Sequence, residues 1–318
     1  MTKIIVGHHA SCMDGTGAKF AAWKKFGDTA KYVPLQYGQP IPDFGNDYDT
    51  ELYILDFSFS KEVTIEFTNK YKKFVVLDHH KTAEAELKDL ISENIIFDMN
   101  KSGAGLAWEY FHPGVPMPEL IAHIQDRDLW KFRLAGSKEV HAGLGLLKGS
   151  MGLWDKYIEP SEQITLGNKT PGFNPYKTGP MKELVNTGKG IIEYENNQIS
   201  NTVPKRVKII ELCGYKVGVV NSGYLVSETG AAICNDPTLK VDAAMMYFID
   251  VEDKVFLSFR SKSGSNVDVS VICKQYFEGG GHPAAAGGRC DIATLEKILK
   301  GTFQTIHLNP NMVVLDVE

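Results

Sequence analysis

The sequence predicts an α/β protein: an N-terminal, mostly parallel sheet flanked by helices, followed by a smaller C-terminal α/β domain. Three observations predict it. Short apolar runs rich in β-branched residues alternate with stretches of helical spacing through the first third of the chain, the pattern of a parallel sheet covered by helices. At 318 residues the chain is long for one core and has ample apolar content for two. A long helical pattern, Met181 to Thr202, then separates this region from a second set of strand-like runs.

Taken in order, Lys3 to His8 reads as the first strand, and Gly15 to Phe26 as a helix with Ala18, Ala21, Ala22 and Phe26 at helical spacing. Strands are predicted at Ala30 to Leu35, Glu51 to Asp56, Lys73 to Leu77 and Asn94 to Phe97, with helices at Lys61 to Tyr71 and Ala83 to Leu90 between them. Two helices follow, Gly103 to Tyr110 and Pro118 to Leu129, Pro118 being acceptable in a first turn. Signals weaken from Gly136 to Pro180, where Pro171 to Tyr176 reads as a loop. The long helix should end before Pro204. Beyond it, strands are expected at Val207 to Leu212, Lys216 to Asn221, Val241 to Ile249 and Lys254 to Ser261. Helices are expected at Ser227 to Asn235, Val267 to Tyr276 and Ile292 to Lys300, with a final strand at Met312 to Asp316.

The formal charge of −5 argues against a broad surface for coating nucleic acid, so a polyanionic substrate must be met locally. The five cysteines form neither a CxxC pair nor a zinc spacing, which suits reduced thiols in a cytosolic protein. Residues Met1 to Gly7 are too short an apolar run for a signal peptide, and no later run could span a membrane. A cytoplasmic protein with no membrane partner is expected, and a homodimer is compatible with the sequence.

The chemistry-bearing residues recur at strand ends. His8 and His9 follow the first strand, Asp56 follows Leu52-Tyr53-Ile54-Leu55, and Asp78-His79-His80 follows Phe74-Val75-Val76-Leu77. Parallel strands bring their carboxyl ends to one edge, where open α/β sheets bind ligands. A further acidic group, Gln125-Asp126-Arg127-Asp128, closes a helical stretch. Carboxylates mixed with imidazoles suit a divalent transition metal such as manganese, and two adjacent metals suit phosphoester hydrolysis. His8 reads as a sheet-end residue with a backbone partner, and His112, His123 and His141 as surface or structural residues. In the C-terminal half, Gly279, Gly280 and Gly281 before His282 permit close approach to a phosphate, and Arg260-Ser261 at a strand end offers a fork for one.

At these residues the chain resembles the DHH phosphoesterases, a family named for the triplet seen here as Asp78-His79-His80. The stretch Phe277 to Gly288 resembles the glycine-rich motif of the family's C-terminal substrate domain, DHHA1, so the likeness covers nearly the whole chain. The resemblance implies a catalytic DHH domain over 1–180, a linker helix over 181–203 and a DHHA1-like domain over 204–318, facing one another across a cleft. It also implies two Mn2+ ions. His9 and Asp56 would hold one, with Cys12 standing where the family usually has Asp, and Asp14, Asp56, His79 and Asp126 would hold the second. Asp128 is the less favoured choice for the last ligand. The catalytic pair would be Asp78, which orients its neighbours, and His80, which faces the scissile phosphate. Arg260, Ser261, Gly279, Gly280, Gly281 and His282 would grip the substrate end. The implied activity is exonucleolytic hydrolysis of short single-stranded oligonucleotides to nucleoside monophosphates. Its neighbour in the family is a cyclic- or linear-dinucleotide phosphodiesterase, and its rival from another class is a nucleotide sensor with a degenerate metal site at Cys12.

Overall fold

In the computed structural model the chain falls into two compact units, Met1–Glu193 and Tyr194–Glu318. The structure describes residues 2–10, 12–45, 48–147, 151–158, 180–262 and 264–303. The expected loop at Pro171 to Tyr176 and the expected final strand at Met312 to Asp316 lie outside the described residues.

The first unit is built on strands β1 (Lys3–His9), β2 (Lys31–Leu35), β3 (Thr50–Leu55), β4 (Lys73–Asp78) and β5 (Ile95–Phe97). All pair parallel, in the order β2-β1-β3-β4-β5. The helices are α1 (Met13–Phe26), α2 (Lys61–Lys70), α3 (Lys81–Leu87), α4 (Gly103–Phe111), α5 (Glu119–Asp128), α6 (Ser137–Leu144) and α7 (Met151–Asp155). Because strand side chains alternate, Val6, Tyr53, Leu55, Val75 and Leu77 pack on one face with Phe20 of α1, Ala107 of α4 and Ile121 of α5. Ile5, Leu52, Ile54, Phe74 and Val76 pack on the other with Phe67 of α2. A strand buried on both faces reads as a continuous apolar run, which is why β3 and β4 were visible in the sequence. Neither α6 nor α7 was. Both are short, and α6 begins after Gly136 in a left-handed conformation, with no side-chain cap to announce it.

Helix α8 (Pro180–Arg206) runs through Pro204 rather than stopping before it. Proline removes only one donor, and in the last turn of a helix that loss is small beside the burial of Ile199 and Val203 against Val220 and Ile233. The second unit contains β6 (Lys208–Leu212), β7 (Tyr215–Asn221), α9 (Val226–Asn235), β8 (Ala243–Ile249) and β9 (Val255–Ser261). After them come α10 (Val269–Tyr276), β10 (Gly280–His282), β11 (Ala285–Cys290) and α11 (Ile292–Lys300). Its sheet is mixed, in the order β10-β11-β9-β8-β7-β6, with β7 and β8 the parallel pair. No helix among the described residues is long and apolar enough to cross a membrane.

Candidate active site

The parallel topology brings the ends of β1, β3 and β4 to one edge, and with them His9, Asp56 and the Asp78-His79-His80 triplet. Asp56 is the hub. It sits just beyond β3 with φ at +54°, in the left-handed region that aspartate tolerates better than most residues, and its amide donates to Leu77 O at 2.8 Å. Its Oδ2 lies 3.4 Å from His9 Nδ1 and accepts from Cys12 Sγ at 3.2 Å, while Oδ1 lies 3.3 Å from His79 Nε2. The same His79 nitrogen is 3.5 Å from Asp14 Oδ2 and 3.6 Å from Asp128 Oδ2. Two ligand sets therefore overlap at Asp56: His9, Asp56 and His80 in one, Asp14, Asp56 and His79 in the other.

Local sequence fixes each of these side chains. Cys12 is the N-cap of α1, its sulfur accepting from Gly15 N at 3.1 Å and lying 3.4 Å from His9 Nδ1. Asp14 is held at the N-terminus of α4, where Gly103 N and Ala104 N donate to it at 2.6 and 3.0 Å and the helix dipole favours an anion. Asp78 accepts from His79 N and His80 N and, at 2.6 Å, from Ser58 Oγ, and it meets His80 Nδ1 at 2.7 Å. This orients the His80 ring. His8 turns away, with Nδ1 donating to His9 O, and burial lowers its pKa to about 4.

Asp126 is not in the cluster, contrary to the ligand assignment made from the sequence. Its oxygens accept from Arg133 N at 2.8 Å, Leu134 N at 2.9 Å and Ser137 Oγ at 2.6 Å, which turns the carboxylate to the far side of α5. Asp128, two residues on and so about 200° around the helix, is the one that reaches His79. Sequence reasoning also missed Ser58, Gly103 and Ser137, and it read His123 as a surface or structural residue. The last, wholly buried, reaches Ser137 Oγ through Nδ1 at 2.9 Å. Ser58 and Ser137 are single serines in no motif, and only proximity reveals them.

The electrostatics of the cluster favour a cation. Burial pushes Asp14 well above the usual carboxylate range, with the charges of Asp128 and Asp56 adding to it. Partial desolvation also raises Asp128, whose side chain keeps 31% of its surface exposed, against the pull of His79. Asp56 is held well below the usual range although burial opposes this, because the imidazoles of His79 and His9 face it. Against its own burial, His79 is lifted to about 10 by Asp56, Asp128 and Asp14. Burial, then Asp56 and Asp14, push the Cys12 thiol upward. Two buried carboxylates, Asp14 and Asp56, and the more exposed Asp128 thus share one imidazole, and Asp56 Oδ1 is left without a hydrogen bond. Both features fit a site built for divalent cations bound by oxygen and nitrogen.

In the second unit, Arg260 on β9 and His282 on β10 both stand opposite Ala285 of β11. Residues directly opposite in antiparallel strands share a face, so the guanidinium and the imidazole flank a small residue on one side of the sheet. Arg260 Nη2 donates to Ser227 Oγ at 2.9 Å, and Ser261 Oγ donates to Val267 O at 2.9 Å. The glycine run is a hairpin strand rather than an open loop: a Cβ on Gly279 would lie 1.9 Å from Gly287 O. Gly279 N donates to Cys273 O, so this amide, expected to meet a phosphate, is used by the fold. Gly280 and Gly281 lie in β10 beside Gly287 and Ala286.

The protein is thus an α/β protein of two units, with a carboxylate–imidazole cluster at the carboxyl edge of a parallel sheet. Residues 221–307 match the DHHA1 domain, and the resemblance to the DHH/DHHA1 phosphoesterases read from the two motifs is borne out. An uncharacterised protein of Acanthamoeba polyphaga mimivirus is 28% identical over 310 residues, covering 89% of this chain and 66% of that protein, so the chain spans slightly less than two-thirds of that relative. Among solved structures, RecJ of Thermus thermophilus in complex with Mn2+ is similar with a TM-score of 0.48 and 14% identity, over 95% of this chain and 51% of that one. PggH of Vibrio cholerae, a pGpG-specific phosphodiesterase, is similar with a TM-score of 0.43 and 13% identity, over 95% and 97% of the two chains.

Proposed function

We propose that this chain is a metal-dependent phosphodiesterase that hydrolyses short single-stranded oligonucleotides from one end, releasing nucleoside monophosphates, with Mn2+ as the expected ion. The observation that carries the reading is the pair of ligand sets meeting at Asp56. His9, Asp56 and Cys12, with His80 beside them, would hold one cation, and Asp14, Asp56, His79 and Asp128 the other. When bound, the cations lower the pKa of a water and offset charge on the attacking and leaving oxygens.

The chain's own residues position the reactants. Asp78 holds the His80 ring through Nδ1, so that Nε2 is the nitrogen that can meet a phosphate oxygen. The water's oxygen forms the new bond to phosphorus, the bond to the leaving ribose oxygen breaks, and the water's proton passes to solvent or to that oxygen. Arg260 and His282, on either side of Ala285 on one face of their sheet, have the chemistry to bind a second phosphate or a strand terminus. A modest net charge fits a substrate with few phosphates.

The test is incubation of pure protein with Mn2+ and labelled dinucleotide, hexanucleotide, cyclic dinucleotide and 3'-phosphoadenosine 5'-phosphate. Release of mononucleotides from the linear substrates, abolished by chelator and by Asp56→Ala in a folded protein, is the expected result. Turnover of the cyclic dinucleotide alone would move the substrate assignment. Metal-dependent binding without turnover would mark a sensor.

A further inference from the structure

The segment after β2 is not used by the cluster, yet it forms a cavity of about 400 Å3 beside it. That size is within the ~300–1,000 Å3 of small-molecule sites. Ala10, Leu35, Tyr37, Ile41, Phe57 and Ser60 are among its lining residues, and no lining residue is charged. Ala10 follows the ligand His9, and Phe57 follows the hub Asp56, so the cavity and the cluster share walls. Tyr37 is the conspicuous residue. It stacks on Phe57 with centroids 4.1 Å apart at 21°, and its edge meets His9 at 5.6 Å and His80 at 6.2 Å. Its hydroxyl accepts from Ser58 N at 3.3 Å, and Ser58 is the residue that donates to Asp78. Even so pinned, and with its hydroxyl enclosed, Tyr37 as a residue is 45% exposed. An aromatic ring fixed this firmly and left open to solvent is a preformed platform, with little entropy to lose when something stacks on it.

We infer that this cavity binds the nucleobase of the nucleotide whose phosphate is hydrolysed at the neighbouring cluster. The inference rests on the phosphodiesterase reading and adds a base subsite to it. The absence of charge in the lining excludes a second phosphate as occupant, because nothing there would replace its lost hydration. A flat, neutral heterocycle fits: the Tyr37–Phe57 stack meets its face, and the side-chain amides of Gln36 and Gln39, both on the rim, can meet its polar edge. Stacking accepts every base, so the site selects nucleotides over other phosphate esters rather than one base over another.

The experiment compares two ligands that share a phosphate and a ribose and differ in the base, adenosine 5'-monophosphate and ribose 5-phosphate. Each is titrated by calorimetry into Mn2+-loaded wild type, Tyr37→Ala and Tyr37→Phe. Wild type should bind the nucleotide roughly 5- to 150-fold more tightly, the range one base stack supplies. Tyr37→Phe should keep that preference, and Tyr37→Ala should lose it with the affinity for ribose 5-phosphate unchanged. Circular dichroism confirms the fold of each variant. A preference that survives in folded Tyr37→Ala, or equal binding of both ligands by wild type, overturns the base site and leaves the phosphodiesterase reading standing. If wild type binds neither ligand but hydrolyses a simple phosphodiester, the base site alone fails. If it neither binds nor hydrolyses, both readings fail.

Discussion

Gly103→Ala is the substitution that tests most directly whether Asp56 is the hub. A Cβ at position 103 would lie 2.4 Å from Asp56 Cβ and 2.8 Å from its Oδ1, where ordinary contact begins at 3.4 Å. The far atoms of Asp56 cannot swing aside cheaply, because its backbone is held in the left-handed region and donates to Leu77 O. Nor can α4 retreat freely, since Gly103 N and Ala104 N hold Asp14. One methyl group therefore pushes on both ligand sets at once. Overpacking of this kind costs about 1–3 kcal/mol. For a unit of this size it should lower the melting temperature of the metal-free protein by about 2–4 °C per kcal/mol. Metal affinity should fall further, by roughly 10- to 100-fold, as for other losses of ligand support. Calorimetric titration with Mn2+, set beside Asp56→Asn, measures this. A folded Gly103→Ala protein that binds Mn2+ like wild type would refute the placement of Asp56 between the two sets.

Other perturbations separate the remaining roles. Asp128→Asn should weaken metal binding with little loss of stability, because it relieves a raised carboxylate in an acidic cluster. Asp126→Asn and Ser137→Ala should instead destabilise by about 1–3 kcal/mol, leaving a buried partner unsatisfied. Equal metal loss in Asp126→Asn and Asp128→Asn, read by calorimetry alongside thermal melts, would contradict this division. Cys12→Asp should tighten the first cation and keep or raise activity, and Cys12→Ala should cost less than Asp14→Ala; weaker Mn2+ binding by Cys12→Asp would remove Cys12 from the ligands. Metal affinity should rise with pH, by up to about tenfold per unit, since a cation must displace the His79 proton held to about 10. In the metal-free protein the sign is opposite. The stability from His79 is fully present below its ordinary 6.5 and is lost as pH rises through about 10, which pH-dependent melts in chelator would follow. Arg260→Ala should raise KM for a dinucleotide while Mn2+ stoichiometry stays constant; loss of a bound ion would show that the second unit completes the metal centre.

What the sequence made legible follows from how locally each feature is encoded. The parallel sheet was readable because β1, β3 and β4 are buried on both faces and carry unbroken apolar runs. His9, Asp56, Asp78 and His79 were readable because parallel strands end at one edge, so register in space follows from position in sequence. Asp126 and Asp128 lie beyond that logic. They sit at the end of a helix, where two residues are half a turn and more apart, and choosing between them requires the phase of α5 against the sheet. That phase is set by Arg133, Leu134 and Ser137 capturing Asp126 from a loop and a helix start that carry no pattern of their own. The glycine run misled for a related reason. A strand without side chains has no alternation to show, and β10 is recognisable only through the backbone of β11 that Gly279 must approach.

The same residues serve both the fold and the site, and this limits how the site can vary. Asp14 satisfies the first amides of α4, Cys12 caps α1, and Asp78 ties β4 to Ser58, so each side chain at the cluster also closes a structural hydrogen bond. Replacing Asp14 or Asp78 with an apolar residue removes a carboxylate from an overcrowded acidic cluster but orphans a buried amide or hydroxyl. The two effects oppose one another in stability and act together on metal binding. An isosteric amide such as Asp14→Asn divides them: one oxygen can still accept from α4 while the charge is gone. Its metal-free form should melt above Asp14→Ala, because one α4 amide keeps its acceptor and the lost charge was one that burial and two neighbouring carboxylates already oppose. Its affinity for the second cation should fall sharply. A variant that lost stability and kept the metal would show that the Asp14 carboxylate serves α4 alone.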